Sequence, residues 1–296
     1  MAYRNVMITT PCRISCKQDQ LLVQGDVSAS FPIEDLLLVL IESRQCTITT
    51  AALSELAKEG VAVFTCDEKH IPCAVTLPFA RHSRQLEVTH QQFNWTVADK
   101  NRWWQQIVQA KIRNQAECLA LCGRCETAAI LRKRSEAVRR GDSENREATA
   151  AALYFPALLG DGFTRNAEAD TRNAALNYGY AILRGCMARC LAVYGFIPWM
   201  GLHHGSTLND WNLADDMMEP YRPVVDLFVA AQVGSDALLD TRLKSWLFNL
   251  LNMDIRSGGQ RHSVAYAMER QTQSLRSNAK TLILPELMPL QPHSYE

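Results

Sequence analysis

The stretch "NRWWQQIVQAKIRNQAECLALC" (residues 101–122) decides how the chain folds. Trp104, Ile107, Val108, Lys111, Ile112, Gln115 and Leu119 recur every three or four positions, the period of one helix face. Upstream the period is different. "RNVMITT" (4–10), "CRISCK" (12–17) and "QLLVQG" (20–25) are short β-branched or alternating runs that read as strands. "DLLLVLIES" (35–43) and "CTITT" (46–50) read as buried strands, and "VAVFTCD" (61–67) as another. "TAALSELAKEG" (50–60) reads as a helix with a threonine cap and a glycine stop.

Downstream of residue 95 the chain reads as helix after helix. "ENREATAAALYFPALLG" (144–160) carries Pro156 near its end, and "DTRNAALNYGYAILRGCMARCLAVYG" (170–195) is closed by Gly195. Residues 212–232, 236–252 and 260–279 complete the helical set. The expected fold class is α+β. A small, mostly-β N-terminal domain (1–80) is followed by a linker (81–94) and a larger all-α domain (95–284). A proline-rich tail (285–296) is expected to be loose.

The 296 residues suffice for two domains and a sizeable core, and 47% hydrophobic with 21% charged residues is the balance of a globular protein. No apolar run approaches the ~18 residues of a membrane span. "MAYRNVMITTPC" lacks the basic and apolar regions of a secretion signal, so a cytoplasmic location is expected. Ten cysteines are many. They lack the clustered spacing of zinc ligands, and reduced thiols are expected.

Net charge is zero, but the charges are segregated. Residues 81–140 hold twelve Lys/Arg against five Asp/Glu, and residues 241–281 hold seven against two. Between them, residues 201–240 hold one Arg against seven acids. Basic flanks around an acidic centre suit a metal-dependent enzyme acting on a polyanion.

The acidic centre is "GLHHGSTLNDWNLADDMMEPYRPVVD" (201–226). Asn212 is positioned to cap the helix that follows, on which Asp216 and Glu219 are spaced i,i+3 and Asp215 and Glu219 i,i+4. Like charges on one face repel unless a cation lies between them. His203 and His204 are adjacent, so at most one faces the acids. Glu147, in a helix of small and apolar residues, is the candidate third ligand. One imidazole among hard oxygen donors suits Mg²⁺ or Mn²⁺ better than zinc. Asn173 and Asn177 put two amides on one face of an apolar helix, and Arg222 either pairs with Glu219 or meets a phosphate. Asp210, Asp215 and Asp226 read as caps or surface charges.

Four segments carry a resemblance: "WWQQIVQAKIRNQA" (103–116), "REATAAALYF" (146–155), "RNAALNYGYAIL" (172–183) and 201–226. Together, over essentially the whole chain, they resemble the CRISPR-associated integrase, the adaptation endonuclease found across CRISPR systems. The chain is most similar to the form that accompanies type II systems. The resemblance implies that the catalytic metal ligands are Glu147, His204 and Glu219, with Asp216 as an assistant and Asn177 and Tyr180 as polar neighbours. It implies Mg²⁺ or Mn²⁺ and insertion of prespacer DNA into a repeat array by 3′-OH attack on a phosphodiester. It further implies a homodimer formed through the β domain, and a small CRISPR-associated partner subunit bridging two dimers on double-stranded DNA. A link to the type II effector nuclease is also implied. The basic "RKRSEAVRR" (132–140) lies outside the signature and stands as a DNA contact candidate. Two other readings use the same residues: a metal-dependent nuclease for branched or repair intermediates, and a non-catalytic DNA-binding scaffold.

Overall fold

The computed structural model describes residues 4–78, 84–165 and 170–294. The first residues of the expected linker, 81–83, lie outside that set. The strands open the chain: β1 (Arg4–Ile8), β2 (Cys12–Lys17), β3 (Gln20–Gly25), β4 (Ala29–Pro32), β5 (Leu36–Ile41) and β6 (Thr47–Ile48). Helix α1 (Thr50–Lys58) separates them from β7 (Ala62–Cys66) and β8 (Pro72–Thr76). The helices follow: α2 (Gln85–Phe93), α3 (Val97–Leu121), α4 (Cys125–Glu136), α5 (Arg146–Leu159), α6 (Thr171–Val193), α7 (Asn212–Met218), α8 (Arg222–Gln232) and α9 (Thr241–Asn249). The last described elements are β9 (Asp254–Ser257), β10 (Gln260–Ser263), α10 (Val264–Arg276) and β11 (Pro285–Glu286).

Two four-stranded sheets form the N-terminal part, ordered β4-β3-β2-β6 and β1-β5-β7-β8. Strand β5 runs parallel to both β1 and β7, with α1 as the crossover to β7. Parallel pairing needs such a crossover, and its cap is Thr49, one residue before the threonine that opens the segment read as a helix: its hydroxyl accepts the Ala52 N–H at 3.2 Å.

The alternation along "LLLVLI" ties the two parts of the chain together. Successive strand side chains point to opposite faces. Val39 and Ile41 join Ile14, Leu21, Ala52, Leu56 and Val63 in a core between the sheets and α1. Leu38 and Leu40, with Phe64 of β7, face the other way into the large helical core. All six residues of β5 are buried. Helix α6 approaches this sheet closely enough that a Cβ built on Gly185 would lie 1.9 Å from the Phe64 ring. A buried ion pair, Lys244 Nζ to Glu42 Oε1 at 2.9 Å, fastens α9 to the end of β5.

The structure departs from the sequence reading in several places; of "CTITT" (46–50), expected as a buried strand, only Thr47–Ile48 pair, and neither is buried. The helical region is not all-α. Residues 260–263, expected to begin a helix, are strand β10, which pairs with β9 around Gly258 and Gly259, at φ +59° and +79°. Two consecutive positive φ angles make the two-residue turn that a hairpin favours, and only glycine reaches them without strain. The linker holds a helix, α2. The tail is docked: β11 pairs with β9, the Asp254 N–H reaches Gln291 O at 2.8 Å, and the Asp254 carboxylate accepts from His293 and Gln291. Prolines removed ladder donors there, but an edge strand tolerates that. Helix α4 was not assigned from sequence. All ten cysteines are free thiols, with Cys12 and Cys46 sulfurs 3.4 Å apart. No described helix is long and apolar enough to cross a membrane.

Candidate active site

Helix α3 buries Trp103, Trp104, Ile107, Val108 and Ile112. Lys111 shares that stripe, so its ammonium needs partners out of water. It finds two carboxylates. Its Nζ lies 2.6 Å from Glu147 Oε1 and 2.5 Å from Glu219 Oε2.

Each carboxylate is placed by a local device. Asp142 accepts the N–H groups of Arg146 and Glu147 at 2.8 and 3.0 Å, so it caps α5 and fixes Glu147 in the first turn. The turn before it uses Gly141 at φ +68°, where a Cβ would come 2.9 Å from Asn101 Oδ1. Glu219 begins the tight 3-10 turn Glu219–Tyr221 between α7 and α8. Asn114 holds that turn from α3: its amide donates to Pro220 O at 2.7 Å and Pro285 O at 3.1 Å, and its Oδ1 accepts from Leu287 N. One buried amide thus joins α3, the Glu219 turn and β11.

The charges are strongly coupled. Burial opposes ionisation of Glu219, but the Arg222 guanidinium, with Nε at 2.8 Å, and the Lys111 ammonium overcome it and hold the carboxyl at about 2. Burial likewise opposes the Lys111 charge, and Glu219 and Glu147 outweigh it, so the amine stays above its ordinary value. Glu219 Oε2 is buried with no hydrogen bond, although the ammonium is in ionic contact with it.

The histidine loop lies against the same helix. Asp216 is fully buried and accepts the N–H groups of Leu202, His203 and His204 at 2.7, 2.9 and 3.3 Å. Its Oδ1 also lies 2.5 Å from His204 Nδ1, which leaves Nε2 as the outward nitrogen. Gly201 permits the turn, because a Cβ there would stand 2.2 Å from His204 O. Trp104 stacks on His203 with centroids 4.4 Å apart and meets the His204 ring edge-on. The Asp216 bond raises the His204 pKa, burial works against it, and the Glu219 and Glu147 charges add to the rise.

Glu147 and Glu219 therefore share one cation, with His204 on the adjoining loop. Among the described residues no three His, Cys, Asp or Glu side chains converge tightly enough to form a metal site by themselves. The Lys111 ammonium holds the position between the carboxylates. Asp216 spends its lone pairs on the histidine loop. Arg222 pairs with Glu219 and lies 4.5 Å over the Tyr180 ring. Arg165 lies 5.4 Å from that ring and donates to Asn173 and to the exposed Asn177. The Tyr180 hydroxyl donates to Asp226.

Two local expectations change. Asp226 is no surface charge: it is 1% exposed, accepts from Tyr154 and Tyr180, and burial pushes it up to about 6 against the pull of those hydroxyls. Asn212 does not cap its helix. Its amide closes the loop instead, donating to Trp199 O and Ser206 O. Asp215 pairs with Arg184 at 2.6 Å. Sequence reasoning missed the roles of Lys111, Asn114, Asp142 and Trp104. Lys111 and Asn114 left a signal, a charge and an amide in a buried helix, but not the identity of their partners.

Beside His204 opens a cleft of about 810 Å³, bordered by Trp199, Trp211, Lys100, Ser206 and Asn209. Trp199 is 58% exposed in it.

The family profile described as "CRISPR associated protein Cas1" matches residues 6–245. The CRISPR-associated endonuclease Cas1 of Neisseria meningitidis serogroup C is 42% identical, and the alignment covers 100% of both chains. Among solved structures, a casposase bound to integration product superposes with a TM-score of 0.74 at 18% identity, covering 95% of this chain and 92% of that one. A chain of a Cas6-RT-Cas1–Cas2 complex superposes with a TM-score of 0.71 at 20% identity, over 97% of this chain and 36% of that one. At those identities the structural likeness establishes the fold, while the sequence matches carry the membership: this chain belongs to the Cas1 family of CRISPR-associated proteins.

Proposed function

We propose that this protein is a metal-dependent CRISPR integrase and endonuclease that joins prespacer 3′-OH ends to phosphodiesters at a repeat. One observation carries the active-site assignment: Glu147 and Glu219, distant in sequence, meet at a single cation beside His204. Two carboxylates, with Glu219 Oε2 buried and met only by the Lys111 ammonium among the described ion pairs, and one imidazole nitrogen form a mainly hard donor set that fits Mg²⁺ or Mn²⁺. A divalent ion held by Glu147, His204 and Glu219 would supply Lewis-acid polarisation of the scissile phosphodiester.

The remaining roles fall to the chain's own groups. Asp216 orients His204 and the loop behind it. Arg222, fixed over Tyr180, keeps Glu219 ionised. The cleft lined by Trp199 and Lys100 admits a DNA end next to His204, with an aromatic face for a base and an ammonium for a phosphate. The basic residues of α3 and α4 add sequence-independent affinity, which suits an enzyme that accepts varied prespacers.

The β-rich part (1–80) is assigned to homodimerisation and residues 95–284 to catalysis. The partners on this reading are double-stranded DNA, a small Cas2-type subunit bridging two dimers, and the type II effector nuclease, all in the cytoplasm. The test is a strand-transfer assay with a free 3′-OH donor and a repeat-containing target. Joined product that disappears in Glu147→Gln supports the integrase reading. Hydrolysis of branched DNA without joining reassigns the protein as a nuclease, and DNA binding without either reaction reassigns it as a scaffold.

A further inference from the structure

We propose that the Lys111 ammonium and the divalent ion are alternative occupants of one position, so that Lys111 is a built-in counter-ion displaced when the site is loaded. The inference rests on the reading of Glu147, His204 and Glu219 as ligands. It is carried by what touches what. Lys111 Nζ contacts one oxygen of each glutamate, at 2.6 and 2.5 Å, and so lies between the two carboxylates expected to share an ion. Two cations cannot both occupy that one position between the oxygens, and an ammonium left beside a divalent ion there loses to mutual repulsion most of its attraction to the carboxylates.

The second cation of the site behaves differently. Arg222 bonds the other oxygen of Glu219, Oε1, and its guanidinium is fixed over the Tyr180 ring. It leaves Oε2 untouched and can stay when an ion enters. Lys111 cannot. Its stem is a flexible four-carbon chain, its side chain retains 11% exposure, and it is held by single contacts to two carboxylate oxygens, whereas Arg222 is also seated over a ring. Of the two cations, the mobile one occupies the contested place and the pinned one stands beside it. Without an ion, Lys111 suppresses the repulsion between Glu147 and Glu219. With an ion present, its three donors are released toward the mouth of the site. Lys111 is thus a positioning residue that sets the affinity of the site.

The experiment uses the full-length chain, chelator-treated, with Mn²⁺ as the probe. Wild type, Lys111→Met and Glu219→Gln are titrated calorimetrically and melted with and without saturating Mn²⁺. Displacement predicts a two-sided result. Lys111→Met melts below wild type without Mn²⁺ but level with it when saturated, and it binds Mn²⁺ about tenfold or more tightly, the size of an ordinary coupling between two ligands. If the saturated variant keeps its full melting deficit, Lys111 stays on the carboxylates in both states and the proposal is overturned. Unchanged or weaker Mn²⁺ binding in Lys111→Met overturns it as well. Should Lys111→Met not fold, Lys111→Arg preserves the charge on a planar fork that grips two carboxylates harder. It is expected to weaken Mn²⁺ binding about tenfold, and an unaltered affinity is the contrary result. Wild-type binding that survives Glu219→Gln overturns the ligand assignment and this inference together; loss of binding in Glu219→Gln with no Lys111 effect overturns the exchange alone.

Discussion

The Asp216 carboxylate holds His204 twice, through the backbone N–H at 3.3 Å and the ring Nδ1 at 2.5 Å. The backbone contacts set the loop and the ring contact engages Nδ1, so Nε2 is the ring nitrogen left for a metal on the proposed reading. Asp216→Asn keeps the size but cannot accept every N–H. Its expected cost is on the order of 10- to 100-fold in Mn²⁺ affinity and strand transfer, the usual cost of losing a residue that orients a ligand. The Asp216 bond raises the His204 pKa, so its loss also moves the acid limb of the activity profile to lower pH. An unshifted acid limb with wild-type affinity would refute this role.

Glu147 and Glu219 differ in depth. Glu219 is 4% exposed and flanked by two cations, whereas Glu147 is half-buried and touches Lys111 alone among the described ion pairs. Glu147→Gln and Glu219→Gln should each lower strand transfer by more than ~100-fold, beyond the range of a supporting residue. Only Glu219→Gln should also lower stability in the absence of Mn²⁺, by about 3 kcal/mol or more, because it leaves Arg222 and Lys111 buried against a neutral amide. Urea midpoints separate the two variants, and equal midpoints count against this account.

These particulars show what the sequence carried and what it did not. The period-2 runs, the Thr49 cap and the 3.6-residue stripe of α3 are local signals, and each produced its element. The acids of the site were legible as like charges at helical spacing. Their partners were not, because a long-range pairing such as Lys111 with Glu147 and Glu219 leaves no spacing to read. Asn114 is the same case: an amide in an apolar helix announces a need for partners, not that they are Pro220, Pro285 and Leu287. The C-terminal hairpin is a different kind of miss. Gly258-Gly259 between alternating residues was a turn signal in plain view, and the helical run behind it masked it.

Asp226 supplies a pH test. Its folded pKa is raised from 3.8 to about 6, so the folded chain binds more protons than the unfolded chain between those values. Its contribution to stability is therefore full below the unfolded value and lost as pH rises through the folded one, a change of about 3 kcal/mol. Asp226→Asn removes that titration while still offering an acceptor to one of Tyr154 and Tyr180. Urea midpoints measured from pH ~4 to ~7 should fall with pH more steeply in wild type than in Asp226→Asn. Parallel curves would contradict the assignment.

The basic segment 132–140 is partly spent on neighbours. Arg132 pairs with Glu117 and Arg139 with Glu144, whereas Lys133 and Arg140 are exposed and in no ion pair among the described residues. If this face tracks phosphates, Lys133→Ala and Arg140→Ala should each reduce the slope of log K against log salt by about one. Binding to unrelated duplexes should weaken equally, since phosphate contacts carry no sequence information. A loss confined to one sequence, or a slope unchanged in both variants, would remove the segment from the DNA path.

Gly185 tests how the two parts of the chain are joined. It lies in the middle of α6, where glycine costs helix stability of about 1 kcal/mol relative to alanine. Propensity alone thus predicts that Gly185→Ala stabilises. Packing predicts the reverse, because the new Cβ would sit 1.9 Å from Cε1 and 2.1 Å from Cζ of Phe64, inside any tolerable contact. Phe64 belongs to β7 and is itself 3% exposed, so its ring can give way only toward the small pocket of about 90 Å³ that it lines with Gly185, Val75 and Ala181, and only by leaving its present packing. The overpacking should cost about 1–3 kcal/mol net, read as a lowered urea midpoint. The same clash offers a rescue: Phe64→Leu shortens the side chain, and the double variant should recover part of the loss, a coupling that distant sites do not show. If Gly185→Ala is neutral or stabilising, α6 does not seat on the sheet this closely.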